Sequence, residues 1–118
     1  MRAGEMRHRV QVYRPSPTKD EYGEAQYELW GKNVYCVAKA KDASEMVLGS
    51  EYSAATFVDF KIRYSRSIEL EYQDMIILFR GKEFQITGVR NIDFRDRELM
   101  VAGVHFANQQ RLGLQGQT

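Results

Sequence analysis

The chain of 118 residues contains a single cysteine, Cys36. No disulfide can form within it, so no covalent staple supports the fold, and a lone thiol fits a reducing compartment. Proline is almost absent, with only Pro15 and Pro17. No run approaches the roughly 18 apolar residues of a membrane span, and Met75 to Phe79 is far too short. The first residues lack the apolar segment of a secretion signal, so the chain is expected to stay in, or be assembled in, the cytosol. Glycines are scattered as turn residues, and no glycine-rich phosphate loop exists. Charge of one sign is missing too: 17 basic and 16 acidic groups leave a formal net charge of +1. A protein whose main task is gripping phosphates carries a clear basic excess. This one does not.

What is present favours strands. Seven Tyr and six Phe against two Pro tilt the composition that way, because aromatic side chains suit a pleated, half-buried surface. The length suits one domain, since domains usually hold about 100 to 200 residues. His8, Val10 and Val12 alternate with Arg9, Gln11 and Tyr13, the period-two mark of a half-buried strand. Pro15 and Pro17 are expected to end that strand. Residues 19–24 make a polar tip, and the return strand begins near Gln26, giving a long hairpin arm. Trp30-Gly31 marks a bulge in the return.

Val34, Cys36, Ala38 and Ala40 then face one way. Asp42 and Glu45 resemble a capping box, and Met46 and Val47 give an apolar edge, so a helix of two or three turns is expected within 42–55. Val58, Phe60, Ile62 and Tyr64 point inward from the clearest strand, and 65–73 is expected to be a loop. The last third is a β-meander: residues 75–79, a turn at Arg80-Gly81-Lys82, residues 83–89, a polar link, and residues 98–106. Six or seven strands with one short inserted helix fit a small antiparallel β-barrel, whose closure removes exposed edges. The expected organisation is a domain over 1–106 and a polar, flexible tail over 107–118.

Candidates for chemistry are sparse. Cys36 and His105 could suggest a thiol enzyme, but both sit in strand patterns with no motif around them. His8 and His105 lack ligand spacing for a metal. The acidic groups at Asp20, Glu21 and Glu24, and at Glu69 and Glu71, lie in expected loops beside basic neighbours, where solvation explains them. No enzyme activity, cofactor or metal is expected. The runs 61–66 and 79–84 interleave bases with aromatics, as in small barrels that stack single-stranded bases. Tyr64 and Phe84 fall on the inward side, however, so core aromatics flanked by exposed bases explain the pattern more simply. Single-strand binding stays as an alternative. Arg2, Arg7 and Arg9 form a basic cluster read as a solvated strand face, with phosphate contact as the second reading.

Several segments in order resemble the phage head-tail joining family, the head-closure or stopper proteins of long-tailed phages and prophages. Met1-Arg2-Ala3-Gly4 with Arg7-His8-Arg9-Val10 and Arg14-Pro15 is similar to the family's start. Asp20-Glu21-Tyr22-Gly23-Glu24 followed by Trp30 resembles its hairpin arm. Residues 80–86 and Arg97-Glu98-Leu99 resemble its closing meander. The tail from Ala107 extends past the matching part, and residues 68–73 lack an expected proline.

The resemblance implies a structural virion protein at the head-tail interface. Such a protein docks as a homo-oligomeric ring between portal or adaptor proteins and tail proteins, and helps retain packaged DNA. It implies no catalytic residue; a tail-tube terminator is the alternative virion role. The free chain is expected to be monomeric or weakly associated, with no membrane partner. Double-stranded DNA would pass through the ring without sequence-specific binding, as the near-neutral charge permits. A ring needs two different matching faces. Asp20, Glu21, Tyr22 and Glu24 on the arm are expected to form one, with Tyr22 either its anchor or packed on its own hairpin. Met46, Val47, Glu51 and Tyr52 are expected to form the other. Arg2, Arg7 and Arg9 are the candidates for contact with DNA.

Overall fold

The structure, a computed structural model, describes residues 7–19, 25–40, 44–48 and 51–107. Seven strands follow in order: β1 (His8–Lys19), β2 (Ala25–Ala40), β3 (Ser44–Leu48), β4 (Glu51–Arg63), β5 (Ile76–Phe79), β6 (Lys82–Asn91) and β7 (Glu98–Phe106). One short helix, α1 (Arg66–Glu71), links β4 to β5. The strand order is β2-β1-β5-β6-β7-β4-β3, and β2 also pairs with β4. That extra pairing brings six antiparallel strands into a ring-like closed sheet, with β3 appended to β4 outside it. The fold is mainly β with one short helix.

Alternation built this ring. Val10 and Val12 of β1, Cys36 of β2, Val58, Phe60 and Ile62 of β4, Phe84 and Ile86 of β6, and Leu99 and Val101 of β7 are all buried in one cluster. Each occupies every second place on its strand, so each strand gives one face to the core. Burying a side chain of this size stabilises the fold by about 1.5–3 kcal/mol. Phe60 lies at the centre, with Phe79 and Phe84 meeting it edge-on at centroid distances of 5.5 and 5.4 Å. Gly103 on β7 makes room for this cluster: a Cβ there would stand 3.0 Å from the Phe60 ring and 3.2 Å from the Phe84 Cβ. The β5–β6 turn places Arg80 and Gly81 at φ 52° and 77°, the left-handed pair that a tight hairpin requires.

Three expectations change. The helix is not at 42–55: residues 44–48 and 51–55 are paired strands, with Ser44 opposite Ala55 and Leu48 opposite Glu51. The helix lies instead in the segment expected to be a loop, with the Ser65 hydroxyl accepting from the Ile68 amide at its start. β1 does not stop at Pro15 but runs on to Lys19 beside β2. Past Tyr13 it has no other strand beside it among the described residues, and an edge strand tolerates residues that cannot donate. The expected bulge is present, as register shifts on either side of the Val12–Gly31 pair.

Candidate assembly surfaces

Two hairpin arms leave the closed sheet. The first is the far half of β1 and β2, where Arg14 pairs with Glu28, Pro15 with Tyr27 and Lys19 with Ala25. An ion pair of 2.8 Å joins Arg14 Nε to Glu28 Oε1 across it; an exposed pair of this kind contributes about 0–1 kcal/mol. Asp20, Glu21, Tyr22 and Glu24 lie outside the described residues.

The second arm is β3 with the start of β4. Val47 stands opposite Tyr52 and Leu48 opposite Glu51, while Met46 faces Ser53. Four residues expected on a helix and its following loop, Met46, Val47, Glu51 and Tyr52, are thereby brought together on one hairpin. β3 continues along the edge of β4 that β2 occupies further down, with a one-residue change of register. The arm is therefore an extension of the β2–β4 ladder.

Of the basic cluster, Arg7 and Arg9 are exposed and Arg2 lies outside the described residues. The Arg9 guanidinium carbon sits 6.0 Å from the Tyr35 ring centre. Arg9, Lys32 and Arg80 line a concave surface shared by β1, β2 and the β5–β6 turn, and no carboxylate lines it among the described residues. The sequence pattern missed Lys32, because strand pairing rather than proximity in the chain brings it there.

Cys36, His8 and His105 have structural surroundings. Cys36 is wholly buried, and burial pushes its thiol up to about 11, which leaves little thiolate at neutral pH. His8 lies edge-on to Phe79 at 5.6 Å, and its Nδ1 is 3.4 Å from the Ala38 amide. His105 Nδ1 is 3.0 Å from the Glu83 carbonyl oxygen. No group of three metal-ligating side chains occurs among the described residues. Phe84, one aromatic of the interleaved runs, is buried, and Tyr64 donates to Glu69 Oε1 at 3.0 Å. Phe84 therefore offers no free face for base stacking, and the Tyr64 hydroxyl is engaged by Glu69.

Glu69 departs from the solvated-loop reading. Besides Tyr64 it accepts from Asn91 Nδ2 at 2.9 Å, and Asn91 also donates to Asp96 Oδ1 at 2.7 Å. The hydrogen bond to Glu69, then burial and the nearby carboxylates, hold the Tyr64 phenol above its usual range. This network fixes α1 to the end of β6 and to the loop that follows. Above it, β2, β4 and α1 enclose an apolar groove beside Trp30 and Ile68.

Among the described residues a ring-like sheet thus carries two hairpin arms and a groove, with Cys36, His8 and His105 taken up in packing and hydrogen bonding. Residues 1–102 match the sequence model of the phage head completion protein family. The chain belongs to this family. A chain in the solved structure titled "Virion of native gene transfer agent (GTA) particle" shares the fold. It aligns with TM-score 0.63 and 15% identity over 83% of this chain and 93% of that one. No curated protein matches the sequence. As a phage head completion protein, the chain is a structural component of the virion, and its role is assembly with other head and tail parts.

Proposed function

We propose that this phage head completion protein joins the portal or adaptor ring of a filled head to the tail and helps retain the packaged DNA. It acts as a homo-oligomeric ring formed on assembly. The observation that carries this reading is the family match over residues 1–102 on a chain whose closed sheet projects two separate hairpin arms. Loops and arms on a rigid scaffold suit recognition of parts above and below. The arm carrying Asp20, Glu21, Tyr22 and Glu24 serves as one face, and Met46, Val47, Glu51 and Tyr52 on the β3–β4 arm serve another. Residues 1–106 form the working shell, and 107–118 are a separate tail.

A net charge of +1 suits a ring through which duplex DNA slides, since each neutralised phosphate would add affinity by counterion release. Arg9, Lys32 and Arg80, with no carboxylate lining their concavity among the described residues, are well placed for passing phosphate contact. The purified chain sedimented with DNA-filled, tailless heads should travel with them and stay behind when the portal is absent. Failure to co-sediment with full heads would contradict the proposal. A tail-tube terminator would instead sediment with tails.

A further inference from the structure

β2 and β4 pair only from Cys36 opposite Ile62 to Ala40 opposite Val58. Before Cys36, β2 stays with β1, while the chain past Arg63 turns away into α1. One edge of β2 between Gln26 and Tyr35 therefore has no strand beside it among the described residues. The gap is an apolar groove of about 480 Å³, lined mainly by Trp30, Val34, Tyr35, Ile62, Tyr64 and Ile68. Tyr35 is 52% exposed at its rim. An open strand edge beside such a groove is the arrangement by which sheets accept an extended peptide: the backbone ladder gives affinity, and alternate side chains enter the groove.

The chain carries a segment with the matching pattern. Residues 108–118 read Asn-Gln-Gln-Arg-Leu-Gly-Leu-Gln-Gly-Gln-Thr, in which Leu112 and Leu114 alone are large and apolar. Two residues apart, they would share one face of an extended strand. The tail of the same molecule does not reach. Phe106, the last residue of β7, stands opposite Ala55, whereas the groove begins at Ile62, opposite Leu99. Seven strand residues separate the two levels, about 23 Å, and Phe106 lies on the β7 side of β4 while the groove lies on the β2 side. The six steps from Phe106 to Leu112 span at most about 22 Å even fully extended, short of the level and on the other side of β4.

We infer that the tail of one copy adds as an extended strand to the open edge of β2 in a neighbouring copy, seating Leu112 and Leu114 in its groove. The inference rests on the ring reading for the arrangement of copies. Donor and acceptor surfaces differ, so the contact is heterologous and closes when repeated around a ring. Ordering a short tail offsets much of the gain, so the contact is weak between free chains. It acts when docking on a portal raises the local concentration.

Trp30 is the chain's one tryptophan and reports directly on the groove. A synthetic peptide of residues 107–118 titrated into the full-length protein should shift Trp30 emission to shorter wavelength and saturate. The same peptide with Leu112→Ser and Leu114→Ser should bind at least about tenfold more weakly. No shift at millimolar peptide, or equal shifts from both peptides, overturns the contact. A photo-crosslinker at position 112 of the full chain should join copies at residues 30–35 on assembled particles, whereas adducts within one copy overturn the exchange. Rings that form unchanged with both serines overturn the inference and leave the ring reading standing. Peptide-dependent Trp30 shifts from a chain that never forms rings uphold the contact and remove the ring reading.

Discussion

Gly103 and Phe60 fit as a pair: the ring occupies space that any side chain on β7 would claim. Gly103→Val should lower stability by about 1–3 kcal/mol through overpacking, and Phe60→Ala by about 3–5 kcal/mol through a cavity, both read by urea unfolding. Phe94 presents the opposite case. It is 90% exposed and sits at φ 52° between Asp93 at 56° and the Asp96 turn at 55°. A bulky residue in the left-handed region is strained, while asparagine adopts it readily. Phe94→Asn should therefore raise the unfolding free energy by about 1 kcal/mol; a fall would mean that Phe94 packs in a way its exposure conceals. Cys36 gives a pH dependence. Its folded pKa is raised from 9.0 to about 11, so the folded state holds the proton more tightly. The stability this contributes is fully present below pH 9 and is lost as pH rises toward 11. Thermal unfolding should show a steeper decline across that window in the native chain than in Cys36→Ala.

Among the elements, the strands were legible and the helix was not. Val58, Phe60 and Ile62 alternate so cleanly with Asp59 and Lys61 that only a half-buried strand fits, and β4 buries that face. The closing meander was legible because Arg80-Gly81-Lys82 leaves room for only a tight turn. The helix was missed because Ile68, Leu70 and Tyr72 read equally as period two. The pair that decides is Ile68 and Tyr72, four apart: Ile68 is buried, Tyr72 packs on the core and Leu70 is 66% exposed. At 42–55 the opposite error arose, because Asp42 and Glu45 copy a cap without a helical face to follow. The candidate surfaces were only half legible, since Lys32 joins Arg9 and Arg80 through pairing across strands. Besides the burial of Ile68, the Ser65 cap and the Asn91 bridge help hold α1 in place. Ser65→Ala should lower stability by about 1 kcal/mol, and Asn91→Ala by about 0.5–1.5 kcal/mol through its lost hydrogen bonds, measured by chemical denaturation with the sheet's circular dichroism retained below the transition.

At the scale of the whole molecule, closure and charge set what the protein can do. Closing β2 onto β4 consumes most strand edges among the described residues, which leaves the two arms, the open stretch of β2 and the basic concavity as surfaces for partners. Near-neutral charge makes tight nucleic-acid binding by the free chain unexpected. Titration with a single-stranded oligonucleotide at two salt concentrations should show binding weaker than about micromolar with a shallow salt slope. Tight binding with a steep slope would favour the strand-binding alternative. The central claim is that the chain completes a filled head for the tail. Its most direct measurement is complementation of particles made without this chain. Such heads should be full of DNA, tailless and leaking, and adding the purified protein should stop the leak and allow purified tails to attach. Heads that already hold their DNA and take up tails without the protein would contradict the account.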